Sequence, residues 1–142
     1  MTQFSVLPAP PGYLLVEIDE DTFKEGSIDN RLSEPQPVLG FVVEKREHYF
    51  NVSPMTVFGV HDDGGLGGYA LIRPDGKVDY WHCSEYIFDS IDDLKIHLLR
   101  DAAELDRETA SDADKDDPKF AATCRRHARK LEKEASNYEW DD

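Results

Sequence analysis

Four groups of residues in this chain have types and spacings that could carry chemistry. Asp101, Glu104, Glu108 and Asp112 recur at intervals of 3, 4 and 4, which sets them on one helix face. Carboxylates one helical turn apart, roughly 5–6 Å, could imitate a strand of phosphates toward a basic protein. Their plainer account is a solvated helix face, because charge runs usually face water. Residues 101–117 hold eight acids and two bases. The second group inverts that sign: residues 118–133 hold Lys119, Arg125, Arg126, Arg129, Lys130 and Lys133 against Glu132 alone. Such a face would bind an acidic partner, or pack beside the acidic stripe and neutralise it.

The third group is Cys124 with His127 and the adjacent pair His82–Cys83. The ligand types suit structural zinc, yet no C-x-x-C pair is present, and neighbours on a strand point to opposite faces. No metal or other cofactor is therefore expected, and Cys124 reads as a buried core residue. The fourth group lies beside the glycine-rich stretch 64–68, where His61, Asp62 and His82 could do acid–base work. GGLGG lacks the Gly-Lys-Ser/Thr of a phosphate-binding loop and does not open a helix. Asp112, Asp114 and Asp116 have alternate spacing, but Asp117 stands where a calcium loop needs glycine. With no converging site in the sequence, the expectation is a protein that is not an enzyme. A small enzyme built on His61, Asp62 and His82 is one alternative.

The elements that must position these residues follow from patterning. Pro8-Ala9-Pro10-Pro11-Gly12 is an extended breaker, with residues 1–7 as an arm or edge strand. Tyr13–Ile18, Val38–Glu44, Met55–Val60, Tyr69–Arg73 and Val78–His82 read as strands, and 19–36 as a long polar loop. Pro74-Asp75-Gly76-Lys77 is a hairpin turn, with Gly76 free to take a positive φ. Ser90 caps a helix, and Asp93 stands three residues on, as in a capping box. Ile91, Leu94, Leu98, Ala102 and Leu105 form the stripe expected to lie on the sheet. Ile96, Leu99 and Ala103 form a second stripe, which predicts a helix between two neighbours. Asp117 and Pro118 open a last helix whose seam is Phe120, Cys124, Ala128, Leu131, Ala135 and Tyr138.

The expected fold is α+β: an antiparallel four- to five-stranded meander, one helix packed across it, and a C-terminal helix. Residues 1–109 would form the core domain (1–12 its arm), 110–117 an acidic linker, and 118–142 the last helix and tail. Leu15, Phe41, Val43, Val57, Leu71, Val78, Leu94, Leu98 and Leu131 are the expected core.

The chain is 142 residues long with 30 acids and 16 bases, a formal charge of −14. That charge argues against direct binding of nucleic acid or an anionic membrane. No apolar run approaches the roughly 18–20 residues of a membrane span. The first residues resemble no secretory signal, and two cysteines fit a reducing compartment. The expectation is a cytoplasmic protein. Tyr80, Trp81, Tyr86 and Phe88 gather before the first helix, and tryptophan and tyrosine are favoured as interface anchors.

The stretch Ser53–Leu99, SPMTVFGV…YALIRPDGKVDYW…FDSIDDLKIHLL, resembles small accessory proteins of phages and integrative mobile elements. The likeness rests on the turn and the helix cap and covers about a third of the chain. It implies a protein that acts by binding and blocking a host factor. Together these readings lead to a non-catalytic acidic binding protein that inhibits or neutralises a macromolecular partner, as a phage or mobile-element antagonist or an immunity protein does. The partner would be a basic protein, one that itself binds nucleic acid being a natural fit. Asp101, Glu104, Glu108 and Trp81 would form the contact. A further alternative is an assembly subunit that forms a homodimer through the C-terminal helix.

Overall fold

The computed structural model describes residues 3–61, 68–82 and 84–139, the side chains at 81, 82 and 84–86 excepted. The strands are β1 (Gln3–Pro8), β2 (Leu14–Glu17), β3 (Gln36–Pro37), β4 (Gly40–Lys45), β5 (Phe50–Thr56), β6 (Gly59–Val60), β7 (Tyr69–Ile72), β8 (Val78–His82) and β9 (Ser84–Phe88). A 3-10 turn at Ile28–Arg31 lies in the loop between β2 and β3, and α1 (Ile91–Ala113) and α2 (Pro118–Glu139) close the chain. The fold is α+β, with two antiparallel sheets rather than one meander. One has the order β1-β4-β5-β6 and the other β3-β2-β7-β8-β9.

The five-stranded sheet is buried on both faces, which makes three layers. Ala70, Val78 and Tyr80 pack toward Leu94, Leu98 and Leu99 of α1. Leu15, Tyr69 and Leu71 form a second cluster with Val38, against which Phe41 of β4 packs. Alternation along each strand supplies the two faces. The β7–β8 hairpin turns as its sequence dictates: Gly76 takes φ +89, and Arg73 N–H donates to the Lys77 carbonyl at 2.8 Å. Arg73 also grips the buried Asp79 carboxylate through Nε and Nη2, at 2.9 and 2.6 Å. Ser90 caps α1 by accepting from Asp93 N–H at 3.2 Å. Asp117 caps α2 in the same way, accepting from Phe120 N–H at 3.1 Å.

α1 is sandwiched as its second stripe requires. Leu99, Ala103, Asp106 and Ala110 are buried, and Ala121, Cys124, Ala128, Leu131 and Ala135 of α2 are buried too. Small residues let the two helices approach closely. Asp106, almost fully enclosed, is met by His127 Nδ1 at 2.5 Å, so the carboxylate has a partner. The seam expected to serve dimerisation is thus largely consumed within the chain, and Phe120 at its start is exposed.

Several boundaries differ from expectation. The strand expected at Met55–Val60 is two strands, β5 and β6, joined by Val57 and Phe58. Val57, expected in the core, is 73% exposed at that turn. Pro54 does not open β5 but sits inside it. Its main-chain groups face the β6 side, where its carbonyl accepts from His61 N–H at 2.8 Å and no partner requires a donor from it. Val43 is only partly buried, because the end of its sheet extends beyond the other layers. The stretch expected as an acidic linker from 110 is helical to Ala113, which leaves a short turn before α2. β9 was not foreseen, because its sequence reads equally as a rim of aromatics.

These burials set unequal costs for truncation. Leu99→Ala is expected to lower stability by about 3 kcal/mol, since it opens a cavity in the helix layer. Val57→Ala, at an open turn, should cost less than about 0.5 kcal/mol. Urea unfolding of the two variants measures both.

Candidate functional site

α1 is 23 residues long, about 34 Å at 1.5 Å per residue. The strands beneath it have four or five residues, about 13–17 Å. Its C-terminal half therefore runs past the sheet. Leu94 and Leu98 lie over Tyr80 and Val78, but Leu105, expected on the sheet, is 54% exposed. Around Leu105 stand Asp101, Glu104, Glu108 and Asp112, all exposed. None of the four makes an ion pair or side-chain hydrogen bond among the described residues. The structure thus brings three of the expected contact residues, Asp101, Glu104 and Glu108, onto one exposed face, with Leu105 at its edge, where Leu105 and Asp101 line a small cavity with Glu20, Thr22 and Arg31. Trp81 belongs to β8, with its backbone opposite Tyr69 and Glu85; its side chain lies outside the described residues.

The basic face of α2 does not neutralise this row. The bridges between the helices run the other way, with Arg100 pairing Glu139 and Arg107 pairing Glu132. Arg125 alone of the α2 cations pairs across the turn, holding Asp114 through both guanidinium nitrogens at 2.8 and 2.6 Å. That hydrogen bonding keeps the Asp114 carboxyl below its ordinary value. Lys119, Arg129, Lys130 and Lys133 are exposed on the side of α2 opposite its buried seam.

A separate cleft of about 520 Å³ opens between the two sheets and the loop after β2. His61 lies in its wall. Its Nδ1 meets Glu17 Oε1 at 2.9 Å and its Nε2 meets Thr56 Oγ1 at 2.8 Å. A carboxylate, an imidazole and a hydroxyl in line are the parts of an acyl-transfer triad. Here the hydroxyl is not presented to the cleft. Thr56 is buried, and its Oγ1 accepts from Phe58 N–H at 3.2 Å and donates to Gln36 Oε1 at 3.1 Å. The trio fastens the β5–β6 turn to β2 and β3. Of the other two residues expected to join His61, Asp62 and the His82 side chain lie outside the described residues. Glu17 and Thr56 carry no sequence signal for this contact, being separated from His61 by strand pairings that only the fold reveals.

Arg31 lines the same cleft. Its Nε donates to the Asp19 carbonyl at 3.0 Å, while Nη1 is enclosed without a hydrogen-bond partner. Burial pushes its pKa below the ordinary arginine value. Cys124 is enclosed between the helices, and burial pushes its thiol up, away from the reactive thiolate. Among the described residues, no group of three or more His, Cys, Asp or Glu side chains is placed to hold a metal ion. No described helix is long and apolar enough to cross a membrane. The chain matches no protein-family model, and no curated protein or solved structure is significantly similar to it.

The role of Thr56 as a turn fastener can be tested directly. Thr56→Val leaves Phe58 N–H without its acceptor and His61 Nε2 without its partner, and should cost about 1–3 kcal/mol. Thr56→Ser keeps the hydroxyl and loses one methyl, about 1 kcal/mol. Equal losses in chemical denaturation would refute the role of the hydroxyl.

Proposed function

We propose that this chain is a non-catalytic binding protein that occupies, and thereby neutralises, a basic macromolecular partner. The observation that carries the reading is the overhang of α1. It leaves Leu105 exposed beside a row of four carboxylates that no cation among the described residues engages. An exposed apolar side chain next to a row of charge can serve as a protein contact. The carboxylates would raise the encounter rate with a basic surface, and Leu105 would supply the apolar contact once water is expelled. The likeness to accessory proteins of phages and mobile elements favours a role as an antagonist of a host factor. A partner that normally holds nucleic acid fits best, because carboxylates one turn apart offer it charge in a linear array.

The test is affinity capture from lysate of the source cells, with nuclease added, at low and high salt. The baits are the wild-type chain, Leu105→Ala and the double variant Glu104→Lys, Glu108→Lys. A basic protein held by the wild type at low salt, weakened by Leu105→Ala and lost with the charge reversal is the expected result. An empty column overturns the reading, as does a protein held equally by all three baits or held unchanged at high salt.

A further inference from the structure

The chain also has an open edge that is built to pair with itself. Two sheets leave four edges: β1 and β6 in one, β3 and β9 in the other. β3 and β6 have two residues each, and β9 carries Glu85. β1 is six residues long, uncharged and exposed throughout, with Phe4 and Val6 at 67% and 62%. Proteins usually protect such an edge with charge, a bulge or a covering element.

The main-chain directions on β1 follow from its pairing. Ala9 N–H donates to the Leu39 carbonyl, and the register continues inward with Leu7 opposite Phe41 and Ser5 opposite Val43. The neighbouring pairs agree, since the Pro54 carbonyl faces β6 rather than β4, and Arg46 N–H bonds the Tyr49 carbonyl across the β4–β5 turn. Hydrogen-bonded positions alternate along an antiparallel strand. The odd residues of β1 therefore bond β4, and Phe4 and Val6 direct both N–H and C=O to the open edge. Pro8 offers a carbonyl only.

We infer that β1 pairs antiparallel with β1 of a second copy of this chain, about a two-fold axis at Ser5. In that register Phe4 of each copy faces Val6 of the other, and every outward N–H and C=O of both residues is satisfied. The register centred on Val6 would set Phe4 against Pro8, which has no donor. Phe4 and Val6 also share one sheet face with Val42, so the joint forms aromatic–β-branched pairs of the kind that stabilise sheets. The product is one continuous eight-stranded sheet.

Charge favours a second copy at this place. Residues 3–8 are uncharged, and residues 40–60 carry Glu44 and Glu47 against Lys45 and Arg46. This sheet is neutral in a chain of charge −14, so it is where two copies repel least.

The experiment is sedimentation of the wild-type chain together with cysteine crosslinking in a Cys83→Ser background. The expected mass is twice 16.2 kDa, and Val6→Lys should sediment as a single chain. Ser5→Cys should form an intermolecular disulfide under mild oxidation, since facing residues of a non-hydrogen-bonded pair have Cα atoms about 4.5 Å apart. Gln3→Cys and Leu7→Cys should not crosslink singly, but should crosslink when mixed. A single-chain mass for the wild type at sub-millimolar concentration overturns the inference. So does crosslinking by Gln3→Cys or Leu7→Cys alone as readily as by Ser5→Cys. Raised salt should tighten this self-association by screening the acidic surfaces, whereas it should weaken capture of a basic partner. The two readings can therefore fail independently.

Discussion

The structure depends on a mismatch of lengths. A helix of 23 residues is laid on strands of four and five, and no arrangement of those strands can cover it. Its first half is anchored by Leu94 and Leu98 on the sheet. Its second half would expose Ala103, Asp106 and Ala110 if nothing else packed there. α2 resolves this by folding back along α1, with Ala121, Cys124 and Ala128 against the overhang. Only one side of the overhang is covered in this way. On the other side the sheet has already ended, and the loop after β2 only borders Leu105 and Asp101, which leaves Leu105 and the four carboxylates exposed.

The same geometry explains why the charges are sorted rather than cancelled. α2 must turn its small apolar residues toward α1, so its basic residues fall on the far side and into water. The acids of α1 fall on its exposed side, where Glu104 borders α2 at Glu132 and Ser136 without an ion pair to it. Pairing is confined to the rim of the helix interface, through Arg100, Arg107 and Arg125. Exposed bridges of this kind contribute little to stability. The enclosed Asp106 differs, because an unpaired carboxylate in that position would be costly, and His127 is the side chain that meets it.

Much of this was legible in the residues, because local chemistry decided it. The Pro74–Lys77 turn, the Ser90 and Asp117 caps, the α1 stripe through Ala102 and the seam of α2 from Cys124 onward all depend on neighbours a few positions away. What could not be read depends on distant partners. Leu105 continues the apolar period of Leu94 and Leu98, and nothing local says that the sheet stops short of it. Val57 has the β-branched side chain of a strand, yet the turn that exposes it is set by Thr56 and Gly59. Met55–Val60 and Val38–Glu44 were recognisable as strands, but their placement in a second sheet was not. It follows from the crossing between β3 and β4, where the chain leaves one sheet for the other within a few residues. The three acids of the expected contact do share an open face. What makes that face distinctive is an apolar residue that periodicity assigns to the stripe lying on the sheet.

The acidic charge and the bare edge of β1 can coexist because they lie on different layers. A protein can prevent edge pairing with one inward-pointing or edge lysine, and β1 has none between Gln3 and Pro8. The charge of −14 limits non-specific association over the body of the chain, but over distances longer than about 8–10 Å it is screened at ordinary ionic strength. An uncharged strand at the margin of a neutral sheet is therefore poorly guarded by acids on a helix layer across the molecule. Its protection, if it had any, would have to be local, as brevity is for β3 and β6. The absence of charge on the longest edge, together with a register that keeps Pro8 out of the pairing of Phe4 with Val6 and satisfies their outward main-chain donors, is why a second β1 is the occupant that this edge fits.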